Sequence, residues 1–128
     1  MFSHMMVGSN DIPRSKRFYD SLFGAMGGKP GTQDDKGRLI YAHNGGLLLV
    51  SQPIDGKPAT HANGGTIGFA MADPAQADAW HKAGVANGGT AIEDPPGIRQ
   101  GGFGTLYLAY LRDPDGNKLC ALHRPPKE

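Results

Sequence analysis

The sequence lacks an excess of either charge, a pair of cysteines and any long apolar run. Lys and Arg number 13 against 12 for Asp and Glu, which argues against a polyphosphate partner or an acidic membrane surface. One cysteine in 128 residues excludes an intrachain disulfide and fits a reducing compartment. Apolar runs such as residues 47–50 are too short to cross a bilayer, and the first residues do not resemble a signal peptide. We expect a cytoplasmic protein that binds neither nucleic acid nor membranes.

Several motifs of catalysis and cofactor binding are also missing. There is no Gly-x-Ser-x-Gly elbow of a serine hydrolase and no Cys-x-x-Cys pair. Gly101-Gly102-Phe103-Gly104 precedes a predicted strand rather than opening a helix, so it does not predict a phosphate-binding loop. Asp113-Pro114-Asp115-Gly116-Asn117 lacks the downstream Glu of a calcium-binding loop and is better explained as a tight turn.

Glycine and proline, 20 and 10 residues, are abundant and predict short elements joined by frequent turns. In the first half we predict a strand at residues 2–7 and a helix that starts within residues 9–13. The helix has an apolar stripe at three- and four-residue spacing, formed by Ile12, Ser15, Phe18, Tyr19, Leu22 and Phe23. Asn44-Gly45 then predicts a β-hairpin between residues 38–43 and 46–51.

The same order of elements returns in the second half. After a linker-like stretch at residues 53–63, we predict a strand at 66–71 and a helix at 75–86 with Trp80 on its apolar stripe. A long Pro/Gly loop is predicted at 93–104. Two strands follow within residues 106–122, joined by the turn at 113–117, where Pro114 and Gly116 suit a tight reversal.

This recurrence indicates an internal repeat. One constant shift along the chain superposes Asp11 on Asp73 and Phe18 on Trp80, and a second, larger shift superposes residues 47–53 on 119–125. We predict a single α+β domain over residues 1–128, made of two βαβββ modules. The first, module 1, spans 1–52, a linker spans 53–63, and the second, module 2, spans 64–128.

The duplicated module, the opening His4, residues 9–19 and the turn at 113–117 together resemble the vicinal oxygen chelate superfamily. That superfamily includes glyoxalase I, extradiol dioxygenases, and the bleomycin and fosfomycin resistance proteins. The resemblance extends over nearly the whole chain. It implies a cup-shaped mixed sheet with the active site inside, commonly in a homodimer.

The resemblance also implies where a metal would bind, at one residue on the opening strand and one on the last strand of each module. The two shifts place these positions at His4, Leu48, Thr66 and Cys120. Relatives carry His or Gln on the opening strands and Glu on the last strands, or two His and one Glu. Leucine binds no metal, threonine is a poor neutral ligand, and Cys120 replaces the expected Glu. A divalent metal on His4 and Cys120 would need His123 or the substrate as a further ligand.

We therefore expect neither standard glyoxalase I nor standard extradiol dioxygenase activity. Cys120 can instead be a small buried apolar residue, as free cysteines commonly are, and His4 a pocket histidine. The resemblance places Tyr110 where extradiol dioxygenases have a tyrosine. His4 and Tyr110 are the predicted catalytic residues, with Tyr110 orienting a substrate oxygen and His4 acting as a base or a metal ligand. The alternative role of Tyr110 is ordinary packing.

Strand alternation puts further residues on the face of Tyr110 and Cys120, and the long loop offers candidate lid residues. The predicted substrate-binding set is Thr66, Leu48, Leu108, Arg112, Cys120, Leu122, Arg99 and Phe103.

Three functions follow as hypotheses. The first is an enzyme that acts on a small metabolite without the usual four-ligand metal site. The second is a metal-free protein that sequesters a small molecule, as resistance proteins do. The third is a module that lost its chemistry and serves to dimerise or to bind a protein partner.

Overall fold

The computed structural model describes residues 1–126. Module 1 contains β1 (Met5–Gly8), α1 (Ile12–Ala25), β2 (Thr32–Gln33), β3 (Leu39–His43) and β4 (Gly46–Ser51). Module 2 contains β5 (Ile67–Ala70), α2 (Pro74–Ala86), β6 (Thr90–Ala91), β7 (Gly97–Gly101), β8 (Gly104–Arg112) and β9 (Lys118–His123). The predicted α+β fold of two βαβββ modules is confirmed, with one further strand, β7, in module 2. Within residues 1–126, no helix is long and apolar enough to cross a membrane.

Each module forms its own mixed sheet. Sheet A has the strand order β1-β4-β3-β2, and sheet B has the order β5-β9-β8-β6, with β7 also paired to β8. The opening strand of each module runs parallel to the last strand, β1 with β4 and β5 with β9, while the remaining pairs are antiparallel. The Asn44-Gly45 hairpin forms as predicted, and both residues have positive φ, 47° and 82°, as a two-residue turn of this type requires.

Both helices begin as the sequence predicts. Asp11 and Asp73 are the N-caps, and each side chain accepts a hydrogen bond from the backbone N–H three residues on, a contact that stabilises a helix by about 1 kcal/mol. The predicted apolar stripe of α1 is buried from Ser15 to Phe23. Trp80 of α2 is fully buried.

The predicted loop at residues 93–104 is wrong in part. Residues 97–101 form β7, which pairs antiparallel with β8 through a tight turn where Gly101 faces Gly104. Gly104 has φ +88°, which glycine adopts without strain. The glycine content of this stretch hides the strand, because β7 is held by backbone pairing to β8 rather than by strand-forming side chains. Arg99 therefore lies on a strand, and Phe103 lies at a hairpin tip with 80% of its surface exposed.

Strand register corrects the repeat. Met5 of β1 is opposite Leu48, whereas Ile67, the counterpart of Met5 in the repeat, is opposite Leu119. The last strands therefore align with Leu48 on Leu119, not with Leu48 on Cys120 as predicted. A slip of one residue moves every side chain to the other face of a strand. Leu48 accordingly belongs to the core, 5% exposed, and the counterpart of Cys120 is Leu49.

The two modules share one core, with the helices between the sheets. Phe23 of α1 stacks on Tyr41 of sheet A with ring centroids 4.6 Å apart, and its edge meets Phe69 of sheet B at 5.9 Å. Leu22 lies over Gly84 of α2, where an added Cβ would come within 3.0 Å of the Leu22 Cδ2.

Because the helix-facing side chains of both sheets enter this common core, the alternate side chains point outward, away from the helices. No strand of sheet A pairs with a strand of sheet B in the described part of the chain. The two sheets are therefore not hydrogen-bonded to each other within residues 1–126, and the common core joins them.

A polar contact also ties the modules together. The turn at 113–117 meets the start of α1, so the two most distinctive stretches of the sequence contact each other. The Tyr19 hydroxyl donates to Asp113 at 2.6 Å, and burial, followed by the Asp113 charge, raises the pKa of Tyr19 well above its ordinary value. Asp115, whose side chain is 1% exposed, accepts from the Asn10 backbone N–H and from Arg14, both at 2.9 Å.

Candidate functional site

The outer face of sheet B carries most of the predicted site residues. Across β8 and β9, Leu108 is opposite Leu122, Tyr110 is opposite Cys120, and Arg112 is opposite Lys118. Leu108 and Cys120 are 8% and 5% exposed, although neither belongs to the core shared with the helices. This arrangement puts a phenol hydroxyl and a thiol side by side on a mostly apolar floor, with cations towards the turn. We call it the sheet B face.

The hydroxyl and the thiol at its centre are both in their protonated forms near neutral pH. Burial raises the pKa of the Cys120 thiol, and the hydrogen bond from Tyr110 opposes that shift without cancelling it. The pKa of Tyr110 is raised as well, first by burial and then by Cys120. A thiol with a raised pKa is a poor nucleophile, since the thiolate is the reactive form. The Cys120 thiol donates to the Ala121 carbonyl at 3.6 Å, so the Tyr110 hydroxyl is the group of this pair that is equipped to donate a hydrogen bond to a ligand oxygen.

Two residues that the sequence analysis missed adjoin this pair. Lys118 forms an ion pair with Glu93, and its ammonium lies 4.9 Å from the centroid of the Tyr110 ring. Glu93 has φ 60°, in the left-handed region that non-glycine residues seldom adopt. Lys118 could have been found by alternation, because it is two residues before Cys120 and shares its face. Glu93 carried no signal, since its place depends on tertiary contacts.

Arg99 lies at the β7 side of the same face, opposite Leu106. One guanidinium nitrogen donates to the backbone carbonyls of Asp94 and Pro95, each at 3.0 Å. Arg112 donates to the Gly116 carbonyl at 2.7 Å. Neither arginine forms an ion pair in the described part of the chain, so both retain uncompensated positive charge.

The outer face of sheet A is different in kind. Met6 and Ile40 are both opposite Leu49, which makes the centre of this face apolar. His4 precedes β1 and is exposed, with its Nδ1 atom 2.7 Å from the Ser3 hydroxyl. His4 therefore lies beside sheet A, whereas Tyr110 and Cys120 lie on sheet B, and none of the three lines either of the two clefts that border the opening strands. The roles predicted for these residues remain predictions.

The residues at the four metal positions do not fit a metal site of the family type. After correction of the register, these positions are His4, Leu49, Thr66 and Cys120. Leucine has no donor atom and threonine is a weak neutral ligand, so only His4 and Cys120 carry side chains that commonly bind a metal ion, and two ligands do not make a site of this type. No group of three or more His, Cys, Asp or Glu residues within residues 1–126 is placed to hold a metal ion. We assign no chemical step to a metal.

Two clefts of about 260 Å³ border the opening strands on opposite sides. The first opens between sheet A and β5 on the helix side; Leu48 is its only predicted site residue, and it is lined by side chains such as Phe23, Tyr41 and Phe69. It is apolar and offers His43 and Asn44 at its rim. The second is lined by Met6, Thr66 and Lys118, together with Gly65 and Asn117. The second cleft contains Lys118 and the predicted site residue Thr66 but neither Tyr110 nor Cys120, so it adjoins the candidate site at the Lys118 end.

Comparisons with known proteins agree with the fold. Residues 1–121 match the family model described as Glyoxalase/Bleomycin resistance protein/Dioxygenase superfamily. A glyoxalase/bleomycin resistance protein from Albidiferax ferrireducens T118 is 58% identical over 97% of this chain and 99% of that chain, with a TM-score of 0.93. A lactoylglutathione lyase from Agrobacterium tumefaciens is 20% identical over 96% of this chain and 92% of that chain, with a TM-score of 0.65. A comparison with curated protein sequences gave no match.

Proposed function

The chain belongs to the Glyoxalase/Bleomycin resistance protein/Dioxygenase superfamily, and we propose that it binds a small organic molecule on the sheet B face without a four-ligand metal site. The observation that carries this proposal is the protonated Tyr110–Cys120 pair on an apolar floor. An apolar surface with a few convergent donors is the usual make-up of a small-molecule site. Leucine at one of the four metal positions supports a metal-independent function.

The site is open on one side in a single chain, and we propose that a second copy closes it. Sheet A of that copy would face sheet B, and its apolar centre around Leu49 would complete the cup. Met6 and Leu47 are 47% and 36% exposed in one chain, and burial of such surface drives association. The arrangement would also bring His4 of the second copy towards Tyr110.

A catalytic form of this site is the second candidate. It is favoured by Glu93, a carboxylate held beside Tyr110 through Lys118, because acid–base catalysis needs a proton acceptor near a donor. His4 could serve as base only from the second copy. The protonated state of Cys120 argues against nucleophilic catalysis, so binding is the function that the geometry supports best.

A thermal-shift screen of small metabolites and drugs tests the proposal. A ligand of the sheet B face should raise the melting temperature by mass action, and Leu108→Ala together with Tyr110→Phe should reduce that shift. Tyr107→Phe is the matched control, since the Tyr107 hydroxyl is bonded to Asp78 on the helix-facing side. Light scattering of the protein as it elutes from a size-exclusion column should give the mass of two chains, as the proposed pairing of two copies requires.

Metal analysis supplies the opposing outcome. Zinc, nickel, iron or manganese added to chelator-treated protein should leave its melting temperature unchanged. Near-stoichiometric divalent metal in the purified protein, removed by His4→Ala, would refute a metal-independent site.

A further inference from the structure

The sheet B face carries more positive than negative charge. By strand register and alternation, Arg99, Arg112 and Lys118 share it, and the only ion pair that any of them forms among residues 1–126 is the one between Lys118 and Glu93. Arg112 is directly opposite Lys118. Like charges in directly opposed positions destabilise a sheet, and Glu93 neutralises only one of the two cations.

The contact that neutralises Lys118 is itself strained. Glu93 reaches the ammonium with its backbone in the left-handed region, φ 60°, where a side chain with a Cβ is disfavoured. The Glu93 side chain is 45% exposed and that of Lys118 is 27% exposed, so water competes for the pair and screens it. A ligand that supplied a carboxylate could replace Glu93 without first breaking a buried interaction.

Lys118 places its positive charge next to Tyr110. Its ammonium is 4.9 Å from the Tyr110 ring centroid, and Tyr110 is opposite Cys120. Lys118 lines the cleft of about 260 Å³ that contains Thr66. An apolar cavity of about 150 Å³ already admits benzene, so this cleft has room for a ring with a charged substituent.

We propose that the ligand of the sheet B face is a small organic anion whose carboxylate displaces Glu93 as the counter-ion of Lys118. An oxygen atom of the ligand accepts a hydrogen bond from the Tyr110 hydroxyl, the apolar side of the ligand lies beside Cys120, and Arg112 adds a second cation. Glu93 is then a specificity-determining residue, because it occupies the anion position until a ligand carboxylate enters. This inference rests on the proposed function and adds the charge of the ligand to it.

Three probes of nearly equal shape test the charge preference: benzoate, benzamide and benzamidine, which are anionic, neutral and cationic. Each is titrated into ¹⁵N-labelled full-length protein, and the amide shifts of Gly68, Tyr110 and Cys120 are followed. Benzoate should shift these amides and bind roughly tenfold more tightly than benzamide, since a charge-assisted contact is gained. Benzamidine should not bind.

Two substitutions separate charge recognition from binding itself. Lys118→Met should weaken benzoate roughly tenfold and leave benzamide unchanged. Glu93→Gln should strengthen benzoate, because the competing carboxylate is gone. Lys82→Met, at an exposed lysine of α2, is the control for net charge and should change neither probe.

The outcomes distinguish the two proposals. If benzamide shifts these amides as strongly as benzoate, the face binds small molecules but the anion preference is wrong. Equal effects of Lys82→Met and Lys118→Met would likewise refute a local role of Lys118. If none of the probes shifts the sheet B amides up to its solubility limit, both the anion preference and the site are wrong.

Discussion

The outer faces of the two sheets have the same architecture and opposite chemistry. Sheet A presents an apolar centre around Met6, Ile40 and Leu49. Sheet B presents Tyr110 and Cys120 at the equivalent place, flanked by cations. The inner faces, by contrast, are alike, since both are apolar and enter one core. The two modules therefore share the apolar inner faces that the common core requires, whereas their outer faces differ in chemistry.

The helices show the same division between equivalent positions. Leu22 of α1 and Gly84 of α2 are counterparts in the repeat that superposes Asp11 on Asp73, and they meet at the contact between the two helices. One has a large side chain and the other has none. Two leucines could not both fill that space, so close packing of the modules requires the two copies to differ.

The largest expected effect comes from this helix contact. Leu22→Ala should lower the free energy of unfolding by about 3 kcal/mol, because Leu22 is fully buried and its removal leaves a cavity. Chemical denaturation measures it. Val85→Ala, at a 43% exposed position of α2, is the control and should change stability by less than about 0.5 kcal/mol. Equal losses for the two variants would contradict a core shared by both modules.

The reverse change at the same contact sharpens the test. Alanine normally stabilises a helix relative to glycine by about 1 kcal/mol. Gly84→Ala should nevertheless destabilise, because the new Cβ would be 2.6 Å from the Leu111 Cδ2 and 3.0 Å from the Leu22 Cδ2. Gly84→Ala should lower the free energy of unfolding less in the Leu22→Ala background than in the parent protein, and a double-mutant cycle measures that coupling.

The second effect concerns the polar tie from module 2 to module 1. Asp115→Ala should lower the free energy of unfolding by about 2 kcal/mol, since it leaves the Asn10 N–H and the Ser15 hydroxyl without their carboxylate partner. The ion pair with Arg14 adds little, because that side chain is 40% exposed. Asp34→Ala, which breaks an ion pair inside module 1, should cost less. The reverse order would mean that the turn is not a tie between the modules.

The sequence was sufficient for the features that local chemistry decides. The Asn44-Gly45 hairpin, the Asp11 and Asp73 caps and the buried stripe of α1 all follow from residues close together in the chain. The strand β7 could not be predicted from nearby residues, because its residues are poor strand formers and are held by pairing with β8. The repeat also predicts the wrong alignment of the last strands of the two modules. A loop can change length by one residue without any sign in the sequence. Because of that one residue, Leu48 lies in the core and not on the outer face, where the repeat predicts it.

The candidate site was only partly predictable for the same reason. Alternation along β8 and β9 placed Tyr110, Leu108 and Cys120 on one face correctly, since a strand has a fixed period. Glu93 lies outside both strands, and its contact with Lys118 depends on how the chain returns after α2. The sequence predicts a loop for Arg99 and Phe103, whereas Arg99 lies on β7 and Phe103 lies in the turn between β7 and β8.

The third effect compares two hydrogen bonds from a tyrosine to an aspartate, one between the modules (Tyr19 to Asp113) and one inside module 1 (Tyr41 to Asp20). Tyr19→Phe should lower the free energy of unfolding by about 1 kcal/mol, because the hydroxyl bonds to buried Asp113. Tyr41→Phe should cost less at neutral pH, since Asp20, which its hydroxyl contacts at 2.7 Å, is more exposed. Denaturation at several pH values measures both.

The pH dependence of Tyr41→Phe follows from Asp20. Burial alone would raise the pKa of Asp20, but hydrogen bonds from Lys16, Gly31 and Tyr41 outweigh burial and lower it. A lowered folded-state pKa stabilises the protein above the unfolded value and loses that contribution as pH falls through the folded value. The difference between Tyr41→Phe and the parent protein should therefore shrink below about pH 4. A difference that grows there would mean that the hydroxyl does not favour the carboxylate.

The smallest effect tests the pair that sets sheet B apart. The hydrogen bond from Tyr110 lowers the pKa of Cys120 against the larger effect of burial. Tyr110→Phe should therefore raise the pKa of the thiol further, because the hydrogen bond that opposes the effect of burial is lost. Alkylation by iodoacetamide reads this pKa directly, because Cys120 is the only cysteine. The midpoint of the rate against pH is the quantity to compare, since burial slows alkylation at every pH.

Tyr107→Phe separates the hydroxyl of Tyr110 from a general effect on β8. Tyr107 lies on the helix-facing side of the strand, and its hydroxyl donates to Asp78 at 2.6 Å, so its loss should leave the Cys120 midpoint unchanged. The parent midpoint should lie above about pH 8.5, the value of an ordinary cysteine. A midpoint below about pH 7 would make Cys120 mostly thiolate at neutral pH and would favour catalysis over binding. A high midpoint leaves the sheet B face with a protonated thiol beside the Tyr110 hydroxyl, a pair that sheet A lacks and on which the proposed binding function rests.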